Sequence, residues 1–380
     1  MSPVDAITVL TRAFNQASVG KGSNAAADRD AAVISWPAVP VEIIRAAGLR
    51  PVVIRGAATP TPAADQHLEP AAFPGRIRQL VEAAMTGQLN DAACIVLPRT
   101  SESDYKCFLY LRELVRRRLL RLAGPIVLFD LLQSQGREVA AYNAGRTRAL
   151  FAALAPAAGT GLLDGVREQI ARTNAARAAV RRLLALRNHP PRITGAEVLP
   201  LIGAFWCLAP EAYASLALAA ADSIAGRPPL VRPRVLLLGA PVDGPALHAA
   251  IEAHGAVVVA ETSPWGIDAA GEDVADEADP LAAIAEKYRR DASGPRAPVI
   301  DTRCWTARAL AGVDAVVVSL PPDDAVFGWD YPNLCRQLQA LDIPHVCLTH
   351  DPYDPVPTVD QERLAALVDA AAPRLEARGG

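Results

Sequence analysis

The chain is 380 residues long, and at roughly 100–200 residues per domain it holds about two domains, or three. A hydrophobic fraction of 51% against a charged fraction of 21% excludes a disordered chain and permits a sizeable buried core. A formal net charge of −3 leaves no basic excess to hold phosphate backbones, which argues against nucleic acid as a partner.

The opening stretch MSPVDAITVLTRAFNQ has no basic cluster followed by a long apolar run, so no secretory signal is expected. No apolar run is long enough to predict a transmembrane helix. Residues 21–32 are small and polar and predict a flexible lead-in. Next, 33–36 predict a strand, 41–47 a helix stopped by Gly48, and 51–54 a second strand, a βαβ pattern. Residues 57–70, rich in Ala, Pro and Thr, read as a loop, 76–86 as a helix and 93–97 as a strand. The segment PRTSESDYK then reads as a loop, before a helix over 108–122 with Leu111, Leu114, Val115, Leu119 and Leu122 on one face. A strand at 125–131 closes a first α/β unit.

The middle is helical, over 141–155 and 163–187, until two prolines in NHPPR stop it. Thr194 is placed to cap the following helix, and 210–221 predict another. From Arg234 a second α/β unit begins. VLLLG reads as a buried parallel strand, GPALHAAIEAHG as a helix and AVVVAE as a strand. Further on, 280–290 predict a helix, 314–320 a strand, 331–341 a helix, 345–349 a strand and 359–372 a last helix. The fold class is therefore α/β, with two Rossmann-like domains with mostly parallel sheets joined by a helical segment. The expected boundaries are an N-terminal domain at 1–139, a helical connecting segment at 140–228 and a C-terminal domain at 229–380.

The six cysteines, Cys94, Cys107, Cys207, Cys304, Cys335 and Cys347, are widely spaced with no CxxC pair. That pattern argues against a disulfide framework and for a reducing cytoplasm. No zinc spacing, no GxSxG elbow and no GxxxxGK[ST] loop occurs, so no metal ligands are expected. GAPVDG, 239–244, stands between a strand and a helix, where dinucleotide folds cradle phosphate, and Glu261 stands where a ribose-binding acid would. Its glycine spacing is not GxGxxG, and the favoured reading is a tight βα turn, which every parallel α/β domain needs.

Three loops after strands carry the chemistry: PRTSESDYK, AETSPWG and SLPPDDAVFGWDYP. Open α/β sheets bind ligands outside the carboxyl ends of their strands, where all three loops fall. The cleft candidates are Ser101, Glu102, Glu261, Asp323 and Asp324, with Asp104 in the same loops. If they converge, repulsion and burial should raise at least one carboxyl pKa. The alternative is that each residue caps the helix that follows it.

At these loops the chain resembles the 2-hydroxyacyl-CoA dehydratase and benzoyl-CoA reductase family. The similar segments are CIVLPRTSESDYKCFLYLRELVR, IARTNAARAAVRRLLALRNHPPRITGAEVLPLIGA, RVLLLGAPVDGPALHAAIEAHGAVVVAETSPWG and DAVVVSLPPDDAVFGWDYPNLCRQLQALDIPHVCL. The resemblance implies paired, related subunits, each of two α/β domains. It also implies a 4Fe-4S cluster in the cleft, held by one cysteine from each of the three loops, and a separate ATP-driven activator. Here the chain departs from the family. Ser101 and Glu102, Pro264 and Gly266, and Asp323 and Asp324 stand where those cysteine-bearing segments are expected.

The expectation is thus a cluster-less subunit that binds no cofactor itself. It would shape an acyl-CoA pocket beside a partner that carries the cluster, as a homodimer or a heterodimer with a related subunit. The dimer surface is expected on the helices around 183–221. Two alternatives stand beside it: an autonomous protein reusing the cleft for another small molecule or for acid–base chemistry, and a purely structural assembly partner.

Overall fold

The computed structural model describes residues 3–17, 29–158, 161–187, 190–240, 242–261, 263, 265–266, 269–291, 310, 312–321, 324, 327–351 and 353–379. Among these residues eight strands form two four-stranded sheets, every pairing parallel. The first sheet comprises β1 (Ala31–Ile34), β2 (Arg50–Val53), β3 (Cys94–Pro98) and β4 (Ile126–Phe129), ordered β2-β1-β3-β4. The second comprises β5 (Arg234–Gly239), β6 (Val257–Glu261), β7 (Ala315–Ser319) and β8 (His345–Leu348), ordered β6-β5-β7-β8. Both sheets thus share one topology, as the duplicated strand–helix pattern predicts.

Parallel strands are covered on both faces, so their sequences run apolar throughout and the two-residue period only divides them between cores. Ala31 and Val33 face a core with Ile95, Leu97 and the helices α3 (Gly75–Met85) and α4 (Glu102–Arg116). Ala32 and Ile34 face a larger core built from α1 (Pro3–Gln16), α2 (Val41–Ala46), α5 (Arg137–Ala158), α6 (Leu162–Ala185), α7 (Gly195–Gly203) and α8 (Pro210–Ala225). In the second sheet Val235 and Val317 face α9 (Ala246–Glu252) and α12 (Thr358–Gly379), while Leu236 and Val318 face α11 (Phe327–Ala340). The helix α10 (Pro280–Arg290) follows β6 in sequence, yet its Ile284 and Tyr288 join the large core beside the first sheet. None of the described helices is long and apolar enough to cross a membrane.

Local chemistry sets the helix limits. Thr194 caps α7 as expected, completing a capping box with Glu197. Asp279 caps α10, with Pro280 in its first turn. The helix predicted over 108–122 instead starts at Glu102, because the Ser101 side chain accepts the Asp104 N–H and begins it six residues earlier. It also ends sooner. Arg118 adopts φ 61°, and the turn leaves Val115 and Leu119 exposed while Leu111 and Leu114 remain buried. The helix predicted from 331 starts at Phe327. Of the described part of the lead-in, Arg29 and Asp30 form a turn and Ala31 and Ala32 belong to β1.

Much of the apolar surface around 183–221, where a dimer contact is expected, lies inside the chain. Leu183, Val198, Leu199, Ile202, Tyr213, Ala217 and Ala220 are all buried in the large core. At about 1.5–3 kcal/mol for each fully buried large side chain, that apolar surface stabilises the fold, while Leu218 in the same stretch stays exposed.

Candidate functional site

In a doubly wound sheet, chain connections leave in opposite directions from two neighbouring strands, and the gap at their carboxyl ends is the usual ligand crevice. Here those strand pairs are β1/β3 and β5/β7. At the first, Asp104 is fully buried and collects donors. Arg76 binds it with both terminal nitrogens, at 2.8 and 3.0 Å. The hydroxyls of Ser35, Thr100 and Ser101 donate to it at 3.0, 3.0 and 2.7 Å. Burial alone would raise its pKa, but Arg76 and the hydroxyls outweigh burial and hold it below the ordinary aspartate value. The Arg76 guanidinium also lies over the Trp36 ring, 4.7 Å from its centroid.

At the second crevice, Gly239 at the end of β5 stands opposite Ser319 at the end of β7. Gly239 has φ 100°, and a Cβ there would lie 2.2 Å from the Ser319 carbonyl oxygen, so only glycine fits this approach. Asp243 follows in the same turn. Its Oδ2 accepts the Gly56 N–H at 2.6 Å and the Tyr353 hydroxyl at 3.2 Å. Its Oδ1 is buried and has no hydrogen-bond partner among the described residues, and neither does the buried Ser319 hydroxyl. Burial raises the Asp243 pKa against the opposing pull of Gly56, Arg76, Arg55 and Tyr353. Burial and the neighbouring Asp243 together push the Tyr353 phenol well above its usual value.

Gly56 follows β2 and Gly75 opens α3, so Asp243 and Tyr353 reach across to the loops of the first sheet. The Tyr353 ring fills the space of two absent side chains: a Cβ on Gly56 would lie 1.9 Å from it, and one on Gly75 2.9 Å. Arg76, next to Gly75, carries the contact on to Asp104. The two polar clusters thus lie side by side as a seam between the crevices, with the Tyr353 ring against Gly75 and Arg76 within electrostatic reach of Tyr353 and Asp243.

The residues singled out from the sequence divide. Ser101 belongs to the seam as the cap of α4 and a donor to Asp104. Glu102 points outward, 3.9 Å from Lys106, with most of its side chain exposed. Asp324 accepts the Gly328 N–H at 2.9 Å, capping the start of α11. Asp323, Pro264 and Cys304 lie outside the described residues. Glu261 is buried in an ion pair, where Arg187 donates to both its oxygens and His248 Nε2 lies 3.4 Å away. Burial would raise its pKa, but Arg187 and His248 draw it down to about 2. It is therefore neither a free ribose-binding acid nor a raised proton donor. The raised carboxyl is Asp243, which the sequence reading passed over although it stands inside GAPVDG. Arg76 and Tyr353 carry no local sequence signal, since only the fold brings them to the seam.

Two further networks brace the halves. Arg177 pairs with the buried Glu42, which also accepts the Tyr288 hydroxyl at 3.0 Å. Asn174, three residues before Arg177, holds the backbone of Val274. Among the cysteines, burial pushes Cys94 up to about 12 and Cys207 up to about 11, and raises Cys107 as well. All three are thus kept as thiols at neutral pH. Among the described residues no group of three His, Cys, Asp or Glu side chains could hold a metal ion.

Compared with known proteins, the chain matches the family described as 2-hydroxyglutaryl-CoA dehydratase, D-component, over residues 38–370. No curated protein matches it.

Proposed function

The chain belongs to the 2-hydroxyglutaryl-CoA dehydratase D-component family, and from that membership we propose that it is a cluster-less subunit of a cytoplasmic 2-hydroxyacyl-CoA dehydratase-like or benzoyl-CoA reductase-like complex. It shapes an acyl-CoA pocket beside a cysteine-bearing partner. The observation that carries this reading is the state of Ser101. At the position where the resemblance expects a thiolate ligand, a hydroxyl caps α4 and donates to Asp104.

The donor set supports it further. Iron–sulfur clusters take thiolates. Asp324 offers a carboxylate that caps α11, and Cys94, Cys107 and Cys207 are held as thiols by burial. A cubane cluster does not fit these residues, and no step on this chain runs through one. The seam between the two crevices is the place for the acyl group.

Anaerobic purification tests the reading. Alone, the chain should be colourless and free of stoichiometric iron and sulfide. Co-expressed with a cysteine-bearing member of the family, it should copurify in a brown complex that acetyl-CoA stabilises against heat. About four irons per chain in the protein purified alone would overturn it.

A further inference from the structure

We infer that Asp243 is the hydrogen-bond donor of the seam, and that its Oδ1 receives the carbonyl oxygen of a thioester ligand. The inference rests on the acyl-CoA reading above and names the residue that would recognise the acyl group.

The two oxygens of this carboxyl have different surroundings. Oδ2 accepts two hydrogen bonds, from the Gly56 N–H and the Tyr353 hydroxyl. Oδ1 accepts none among the described residues, although it is buried. An ionised carboxylate in such a place would leave a charged oxygen desolvated and unpartnered, a costly state. A neutral carboxylic acid suits it: the carbonyl oxygen takes the two donors, and the hydroxyl oxygen carries the proton outward as a donor.

The charged and titratable groups facing Asp243 are Arg55, Arg76 and Tyr353. The two guanidiniums would favour the ionised form, but each has other work. Arg76 is bound through both terminal nitrogens to Asp104. Arg55 donates to the Phe14 carbonyl at 2.6 Å and lies over the Phe14 ring. Burial outweighs both, and the Asp243 pKa lies above the ordinary aspartate value, in keeping with the unpartnered Oδ1.

The position is as telling as the protonation. Asp243 stands in the first turn after β5, at the β5/β7 crevice, where the Ser319 hydroxyl is a second buried polar group without a partner. Two hydroxyl-type donors at one crevice suit an acceptor oxygen on the ligand. A thioester carbonyl is such an acceptor.

Calorimetric titration with two probes tests this. Acetyl-CoA has the carbonyl oxygen, and S-ethyl-CoA lacks it. The wild type should bind acetyl-CoA about tenfold more tightly, the scale of one well-made hydrogen bond. Asp243→Ala should lose that preference while still binding S-ethyl-CoA. Asp243→Asn should retain it, because its amide can accept from Gly56 and donate to the ligand as the neutral acid does. Loss of the preference in Asp243→Asn would mean that the ionised form does the work and would overturn the proposal. Equal binding of both probes by the wild type would overturn it while leaving the acyl-CoA reading intact, whereas binding of neither would overturn both. As a separate readout, the infrared difference between wild type and Asp243→Ala at pH 7 should contain the carbonyl stretch of a protonated carboxyl, and its absence would sink the assignment whatever the titrations give.

Discussion

Asn174 holds Val274 by both of its backbone groups, donating to the carbonyl at 2.9 Å and accepting the N–H at 3.1 Å. The pair spans 100 residues and ties α6 to the segment that follows β6. Replacing Asn174 with Ala strands both groups of a residue that is 2% exposed, and removes a contact to Arg177. We expect a loss of about 1–3 kcal/mol in urea unfolding, without a change of fold. A midpoint equal to that of the wild type would contradict it.

Tyr353 and Gly56 should be coupled through sterics. Gly56→Ala places a methyl group inside the Tyr353 ring and should cost about 1–3 kcal/mol. Shortening Tyr353 to Ala opens that space, so the double variant should be less destabilised than the two single losses added together. Strict additivity would show that the ring does not sit where this contact requires.

Acid should unfold the protein partly through Glu261. Its pKa falls from the ordinary 4.5 to about 2 in the folded state. The stability it lends is therefore present above the unfolded value and is lost as pH falls toward 2, a total of about 3 kcal/mol at about 1.4 kcal/mol per unit. Glu261→Gln should lower stability at neutral pH and flatten the acid limb of a stability–pH curve. Asp243 acts with the opposite sign. Its pKa is raised, so its contribution is present below the unfolded aspartate value and declines as pH rises through the folded value. Asp243→Asn should remove that decline.

Ser101→Ala should cost about 0.5–2 kcal/mol, since α4 loses its cap and Asp104 one of its donors. Thermal unfolding beside a Glu102→Ala control reads it. The control side chain is mostly exposed and should change little.

Strands and helices were legible in the sequence because parallel strands run apolar and helices carry the longer period. The boundary of α4 was not, because a loop rich in Ser, Glu and Asp reads the same whether it stays a loop or forms the capped first turn of a helix. The long helix over 163–187 was legible, but the use of its Asn174 and Arg177 was not. Asn174 and Arg177 reach Val274 and Glu42, partners far away in sequence. The candidate site fared likewise. Ser101 could be found from its place after a strand. Asp243 was hidden in a turn that serves equally well as plain connection. Glu261 looked available, but Arg187 from the turn after α6 and His248 from α9 occupy it.

The return of α10 to the first sheet has a consequence for how the chain is made. Phe129 at the end of β4 packs edge-on against Tyr288 at a centroid distance of 6.4 Å, and Phe14 likewise against Trp265 at 5.7 Å. On the ribosome, the roughly 160 residues from Phe129 to Tyr288 take about 8–30 s to synthesise. Through that interval the part of the large core that Ile284 and Tyr288 fill stays open beside Phe129, an apolar gap in a face that α1, α2 and the middle helices otherwise cover. Nascent chains stalled short of residue 280 should therefore be cut readily by protease within 31–129, and chains stalled well beyond residue 290 should resist.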